Sequence, residues 1–239
     1  MTASTSAIVL SKIRYKDNDI IVKIFTREYG AISFIIKGSA KSKKSKIKFV
    51  YFQELTIVNL QFNFNPNRNL QYIKDLEIKH HYSSLHTDLV KTSVIFFLSE
   101  LLSNIITHQK KELKLYDYIE ESLIWYDENH FNPYFHLIFL TELTKYLGFY
   151  PDISNNHLQY FNLEEGIYES SKTSKHSIKD LNLDLFNHIL GIKFDSNHLS
   201  ALNSEEKMKV LNIIITYYKL HINNFKELKS LDIIRNTYN

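Results

Sequence analysis

Apolar positions in the first 80 residues come in short, β-branched runs separated by polar turns, a spacing that belongs to strands. The runs Ala7–Tyr15, Ile20–Thr26, Ala31–Lys37, Phe52–Phe62 and Asn69–Ile78 predict five strands. Lys16-Asp17-Asn18-Asp19 and Glu28-Tyr29-Gly30 read as turns. Asn65-Pro66-Asn67 reads as a hairpin tip, because Pro fixes φ and Asn tolerates the left-handed region. Five strands in so short a stretch suit a small closed barrel. The OB-fold has that strand number, and SH3-like barrels are its competitor.

Near residue 80 the period changes. Leu89, Val90, Val94, Phe97, Leu98, Leu101, Leu102 and Ile105 recur at helical spacing and place a helix over Leu85–Ile106. A second covers Leu113–Asp127. Asn132-Pro133 opens a third, Pro being tolerated at a first helical position because its missing N–H has no partner there. That helix runs to Leu147 and stops at Gly148, with Tyr150-Pro151-Asp152 beyond it. Residues 151–179 are polar and irregular, with a short hairpin around Tyr160–Tyr168. Helices resume at Asp180–Leu190. Asn203 and Ser204 then start a long helix through Met208, Leu211, Ile214, Ile215, Tyr218 and Leu220, Asn203 and Glu206 forming a capping box. A last helix covers Leu228–Asn236, and no internal repeat is visible. The fold class is therefore α+β: an N-terminal five-stranded OB-fold barrel over residues 1–80, followed by an all-α helical domain over 81–239.

Composition narrows the picture. Hydrophobic residues at 44% and charged residues at 23% are ordinary for a globular chain. There is no Cys, which excludes disulfides, thiolate metal sites and thiol chemistry, and fits a reducing cytoplasm. Residues 1–11 lack the basic start and apolar run of a signal peptide. The apolar stretch Thr92–Ile106 is interrupted by Ser99, Glu100 and Asn104 and is too short for the roughly 20 residues of a membrane span. The net charge of +3 hides an asymmetry: residues 1–80 hold 14 Lys/Arg against 6 Asp/Glu, residues 81–239 hold 15 against 20, so the halves carry +8 and −5. A polyanion is drawn to the first module and repelled by the second.

One segment carries most of that positive charge: Lys37-Gly-Ser-Ala-Lys41-Ser-Lys43-Lys44-Ser-Lys46-Ile-Lys48, with six Lys and no acid. Small residues let the backbone approach a phosphate closely, and Lys neutralises charge without reading bases. A Lys-rich loop is also often only a solvated connection. On a barrel of OB type, which binds single strands through a basic groove with aromatic platforms, the nucleic-acid reading gains weight. Arg14, Lys16, Lys23 and Arg27 extend the basic set. Tyr15, Phe25, Phe34, Tyr51 and Phe52 are aromatic candidates, most of them expected in the core.

At these residues the chain resembles the RecO family. Its opening, "AIVLSKIRYKDNDIIVKIFTREYGAISFIIKGSAKSKKSK", is similar to the family's N-terminal pattern, through Ile21, Val22, Phe25, Thr26, Glu28, Gly30, Lys37 and Gly38. "YLGFYPD" at Tyr146–Asp152, "YFNLEEGIY" at Tyr160–Tyr168 and "LKSLDIIRN" at Leu228–Asn236 are similar to its C-terminal segments, in the same order. The resemblance implies an OB-fold with a helical domain and a DNA-binding recombination mediator in DNA repair. Such a protein binds single- and double-stranded DNA without sequence specificity and anneals strands. With RecR it loads RecA onto DNA coated by single-stranded DNA-binding protein, whose acidic C-terminal tail some members recognise. It also implies a bacterial, nucleoid-associated location and no covalent catalysis. The chain departs from the family at 151–175, where many members carry a four-Cys zinc element. Here only His157, His176, Asp152, Glu164, Glu165 and Glu169 are available, so no metal is expected. Tyr160, Phe161, Leu163 and Tyr168 are expected to hold the segment by packing.

Other constellations read as structural. No HExxH, GxSxG, GxxxxGK[ST] or GxGxxG occurs. The adjacent pairs Glu120-Glu121 and Glu205-Glu206 point to different helix faces, and most of the 11 His read as solvated surface. Lys219, Lys229 and Arg235, beside Tyr218, Leu220 and Ile234, form a candidate partner site for an acidic tail, set against an ordinary amphipathic surface. Two alternatives stand beside the DNA reading. One is an OB-like protein-interaction module with no direct DNA role. The other is a hydrolase or nuclease, which needs clustered carboxylates that the acid-poor N-terminal half does not supply.

Overall fold

The computed structural model describes residues 2–16, 18–38, 48–196 and 202–237. They pack as two units: the described residues up to His130 together with Leu228–Ile234, and those of Phe131–Glu227 with Arg235 onward.

The first unit is built on five antiparallel strands, β1 (Thr2–Tyr15), β2 (Asp19–Thr26), β3 (Gly30–Ile36), β4 (Ile57–Asn63) and β5 (Ile73–Ile78), in the order β3-β2-β1-β4-β5. β1 begins before the apolar run predicts, because its earlier buried positions, Ala3 and Thr5, are small or polar. It is long enough to pair twice, its first half with β4 and its second with β2. Directly opposed residues share a face. One face carries Val9, Val22, Ile24, Ile32, Phe34, Val58, Leu60 and Phe62, which form the core with Phe52. The other carries Ile8, Phe25 and Ile57, in register and fully buried. Helices α1 (Leu89–Ile105) and α2 (Leu113–Glu128) meet that second face: the Ser99 hydroxyl donates to the Leu10 carbonyl, and the Phe25 and Tyr116 rings lie 5.6 Å apart. Burial on both faces explains why the strands read as near-continuous apolar runs.

The closed barrel expected from the strand count is not completed. β3 and the turn before β5 share a single parallel bridge, Phe34 with Gln71; Ile35 N–H donates to Gln71 O at 3.0 Å and Gln71 N–H to Ser33 O at 2.9 Å. The chain then leaves β3, and β5 takes its partners from β4. The predicted Phe52–Phe62 strand divides into a 3-10 turn, Phe49–Phe52, and β4 proper. α1 starts at Leu89 rather than Leu85, because the Asp88 side chain accepts the Lys91 N–H and caps it. Glu100 of α1 accepts the N–H groups of Lys229 and Ser230 at 3.0 and 2.8 Å, fixing the start of the last segment to this unit.

The second unit holds α3 (Phe135–Leu147), which ends at Gly148 in the left-handed region with φ 87°. Then come the strands β6 (Tyr160–Asn162), β7 (Ile167–Glu169) and β8 (Ser177–Lys179) in the order β7-β6-β8, and helices α4 (Asp180–Ile189) and α5 (Ser204–His221). The expected Asn203–Glu206 capping box is formed at the start of α5. The irregular segment between α3 and α4 is packed by apolar side chains, as its sequence predicts. Phe161, Leu163 and Tyr168 are buried, and the Phe161 ring lies 4.9 Å from Tyr168 and 5.1 Å from Phe186. α6 (Leu231–Thr237) is the last element. Among the described residues no helix is long and apolar enough to cross a membrane.

Candidate nucleic-acid interface

The ladder brings three of the predicted basic positions to one end of the sheet. Arg14 lies opposite Ile20, and Ile20 opposite Ile36, so the β1–β2 turn and the exit of β3 are neighbours. Asp19 ties them together. Its carboxylate accepts the Gly38 N–H at 2.8 Å and the Lys37 ammonium at 3.2 Å. Gly38 presses on the turn so closely that a Cβ there would lie 2.5 Å from the Asn18 Cβ, leaving room only for glycine. The Gly38 N–H, and after it Lys37, hold the Asp19 carboxyl below its ordinary range. The basic segment therefore leaves the sheet from a fixed point.

Arg14, Lys16 and Lys37 are exposed at this end, and Lys48 is exposed where the chain re-enters the described fold. Lys16 is in the left-handed region, φ 52°, with its ammonium over the Tyr15 ring at 5.5 Å. Lys41, Lys43, Lys44 and Lys46 lie outside the described residues. The aromatic candidates divide as their chemistry requires: Phe25, Phe34 and Phe52 are core, Tyr51 is half-buried, and Tyr15 is exposed.

Lys23 and Arg27 are committed elsewhere in the first unit. Lys23 sits opposite Ser11 on the helix-facing side and donates to Ser103 O at 2.6 Å. Arg27 makes a bidentate pair with Asp117 of α2, at 2.8 and 3.1 Å, and Glu28 lies 3.6 Å away. Hydrogen bonding and attraction from Asp117, with a smaller part from Glu28, raise the already high Arg27 pKa, so its charge is permanent but occupied. Sequence reasoning passed over Asp19, whose anchoring role no local signal announces.

Of the candidate partner residues, Lys229 belongs to the first unit, exposed, its N–H held by Glu100; Lys219 on α5 and Arg235 on α6 belong to the second and are exposed. His136 is not one of the surface His: it is buried in α3. Burial, with Lys207 adding to it, pushes its pKa down to about 3 and keeps it neutral. Among the described residues no three His, Asp or Glu gather closely enough to hold a metal ion.

Fold and site thus define an α+β protein whose N-terminal five-stranded sheet presents a basic end and leads into a helical region. Residues 1–82 match the family described as Recombination protein O N terminal, and residues 86–232 match Recombination protein O C terminal. The chain is 36% identical over 238 residues to the DNA repair protein RecO of Flavobacterium psychrophilum and 34% identical to that of Christiangramia forsetii, each match spanning 100% of both chains. It is 30% identical over 242 residues to the RecO of Bacteroides fragilis, again across 100% of both. The chain belongs to the RecO family of DNA repair and recombination proteins, which are mediators and not enzymes.

Proposed function

We propose that this chain is a DNA-binding recombination mediator. It binds single- and double-stranded DNA without sequence preference, speeds annealing, and with RecR promotes loading of RecA onto DNA coated by single-stranded DNA-binding protein. The observation that carries the reading is the anchored start of the basic segment: Asp19 fixes Lys37 and Gly38 beside Arg14 and Lys16, and the remaining lysines follow Gly38 in sequence. Lysines neutralise phosphates and release counterions, which supplies affinity without base recognition. Two strands held on one protein meet at raised local concentration and pair faster. Residues 1–80 are assigned to DNA and 81–239 to protein docking. Within the latter, Lys219 and Arg235 of the second unit, and separately Lys229 of the first, are the candidates for contact with an acidic tail. The setting is the bacterial cytoplasm, at the nucleoid.

Fluorescence anisotropy with a labelled poly-dT oligonucleotide at two salt concentrations tests the reading. Tight binding that weakens steeply with salt supports it. Replacing Lys41, Lys43, Lys44 and Lys46 with Ala is expected to reduce the log–log salt slope by about 3, at roughly 0.7 per phosphate contact on a single strand. No binding at low salt overturns it in favour of a sheet used for protein contacts.

A further inference from the structure

The connection between β4 and β5 presents an aromatic ring that the core does not use. Tyr72 is 48% exposed, and the guanidinium of Arg68 lies over its ring, 5.7 Å from the centroid. The backbone that displays them is fixed from inside. Gln71 is buried, and its side-chain amide donates to the carbonyls of Asn65 and Arg68, both at 2.8 Å, while its oxygen accepts the Asn65 N–H at 3.0 Å. Its main chain is clamped to β3 through Ser33 and Ile35. The Asn65 side chain in turn accepts the Asn67 N–H at 3.0 Å. Buried amide bonds of this kind hold the loop backbone that carries Arg68 and Tyr72.

Placement gives the pair its meaning. Gln71 runs parallel to Phe34, so Tyr72 leaves β3 in the same direction as Ile35, Ile36 and Lys37, toward the basic end. In sheets of OB type the strand 1–2 and strand 4–5 connections flank the groove that takes an oligonucleotide. Here the first carries Tyr15 under Lys16 and the second Tyr72 under Arg68, each an exposed ring with a cation over it. An exposed ring on a rigid loop offers a stacking surface to any base, since every base has a π-face, and an Arg beside it reaches a phosphate.

We propose that Tyr72 and Arg68 form a base-stacking subsite for single-stranded nucleic acid. An unpaired base stacks on the Tyr72 ring, and the Arg68 guanidinium contacts a neighbouring phosphate. The proposal rests on the DNA-binding reading and refines it: the lysines hold either form of DNA through phosphates, whereas Tyr72 distinguishes an unpaired strand from a duplex, whose bases are already stacked.

The test is anisotropy with the full chain and three labelled probes of equal length: oligo-dT, a duplex, and a strand of abasic sites that keeps the phosphates but has no bases. Tyr72→Ala is expected to weaken oligo-dT binding about tenfold and to change duplex and abasic binding less than about twofold, and Tyr72→Phe, which keeps the ring, to restore oligo-dT binding. Arg68→Ala is expected to weaken all three and to reduce the salt slope by about 1. Thermal melts of each variant confirm folding, and Tyr72→Leu, apolar without a ring, replaces Tyr72→Ala if the latter does not fold. Undiminished oligo-dT binding by the ring-less variant, or an equal loss on the abasic strand, overturns the subsite while leaving DNA binding intact. Failure of the wild-type chain to bind any probe at low salt overturns the DNA reading and the subsite with it.

Discussion

Lys91 and Asp127 are both buried where α1 begins and α2 ends, yet each is satisfied chiefly by main chain rather than by the other. The Lys91 ammonium donates to the carbonyls of Tyr126 and Asn129, both at 2.7 Å, and to the Ser84 hydroxyl at 2.8 Å. A cation there also complements the negative end of the α2 dipole. The Asp127 carboxylate accepts the N–H groups of Ser83, Ser84 and Leu85 at 2.8 to 3.0 Å. The Ser84 hydroxyl bonds to both charges and links them. The connection from sheet to helices is locked here.

Asp127→Asn is expected to remove about 3 kcal/mol of stability, because a buried charge held by several donors is lost and one donor group now faces others. Urea unfolding followed by the fluorescence of Trp125, the sole tryptophan, reads this out. A loss below about 0.5 kcal/mol would contradict the assignment of Asp127 as a structural anchor.

The same carboxylate sets an acid limit. Burial alone would raise its pKa; the N–H groups of Ser83, Ser84 and Leu85 outweigh that and hold it at about 2. A carboxyl depressed in the folded state contributes stability that is complete above its unfolded value and is lost as pH falls toward the folded one. Stability of the wild type is therefore expected to fall between about pH 4 and pH 2, and the Asn variant to show a flatter profile there. Parallel profiles for the two proteins would be the contrary result.

Arg27 is expected to behave unlike the lysines. Its guanidinium is paired with Asp117 at a partly exposed position, so Arg27→Ala is expected to cost under about 1 kcal/mol and to leave the salt slope of DNA binding unchanged. A slope reduced by about 1 would show that Arg27 exchanges Asp117 for a phosphate.

Asp19→Asn is expected to loosen the root of the basic segment, since the bond to Lys37 loses its charge assistance. Affinity for oligo-dT is expected to drop a few-fold with the salt slope preserved, because no phosphate-contacting cation is removed. A tighter complex would mean that Asp19 acts mainly by repelling DNA.

The legible parts of the fold are those written in local chemistry. β2 and β3 follow their apolar runs, the Asn203–Glu206 box caps α5, and Gly148 ends α3. The start of β1 is hidden because Ala3 and Thr5 fill buried positions with little apolar surface. Leu85 carries the helical rhythm but is core without being helix, since Asp88 starts α1 later. At the candidate site the charge density of Lys37–Lys48 is visible in the chain itself, but its availability is not. Lys23 and Arg27 look like their neighbours in sequence, and only partners 80 and 90 residues away show them to be engaged.

Gly30 tests the opposite end of the sheet. It opens β3 at φ 70°, and a Cβ there would lie 2.4 Å from the Lys110 nitrogen, 2.5 Å from the Lys110 oxygen and 2.6 Å from the His108 oxygen, all main-chain atoms that cannot swing away. His108 O also accepts the Ala31 N–H at 3.0 Å, so the approach is part of the packing. Gly30→Ala adds left-handed strain to that clash and is expected to lower stability by about 3 kcal/mol, read as a shifted urea midpoint. Gly30 lies opposite Thr26, whereas the basic end lies at Ile20 and Ile36. The folded variant, assayed at low temperature, is therefore expected to bind oligo-dT as the wild type does. A stable variant would refute the packing argument, and a folded variant with weakened binding would place the DNA contact at this end instead.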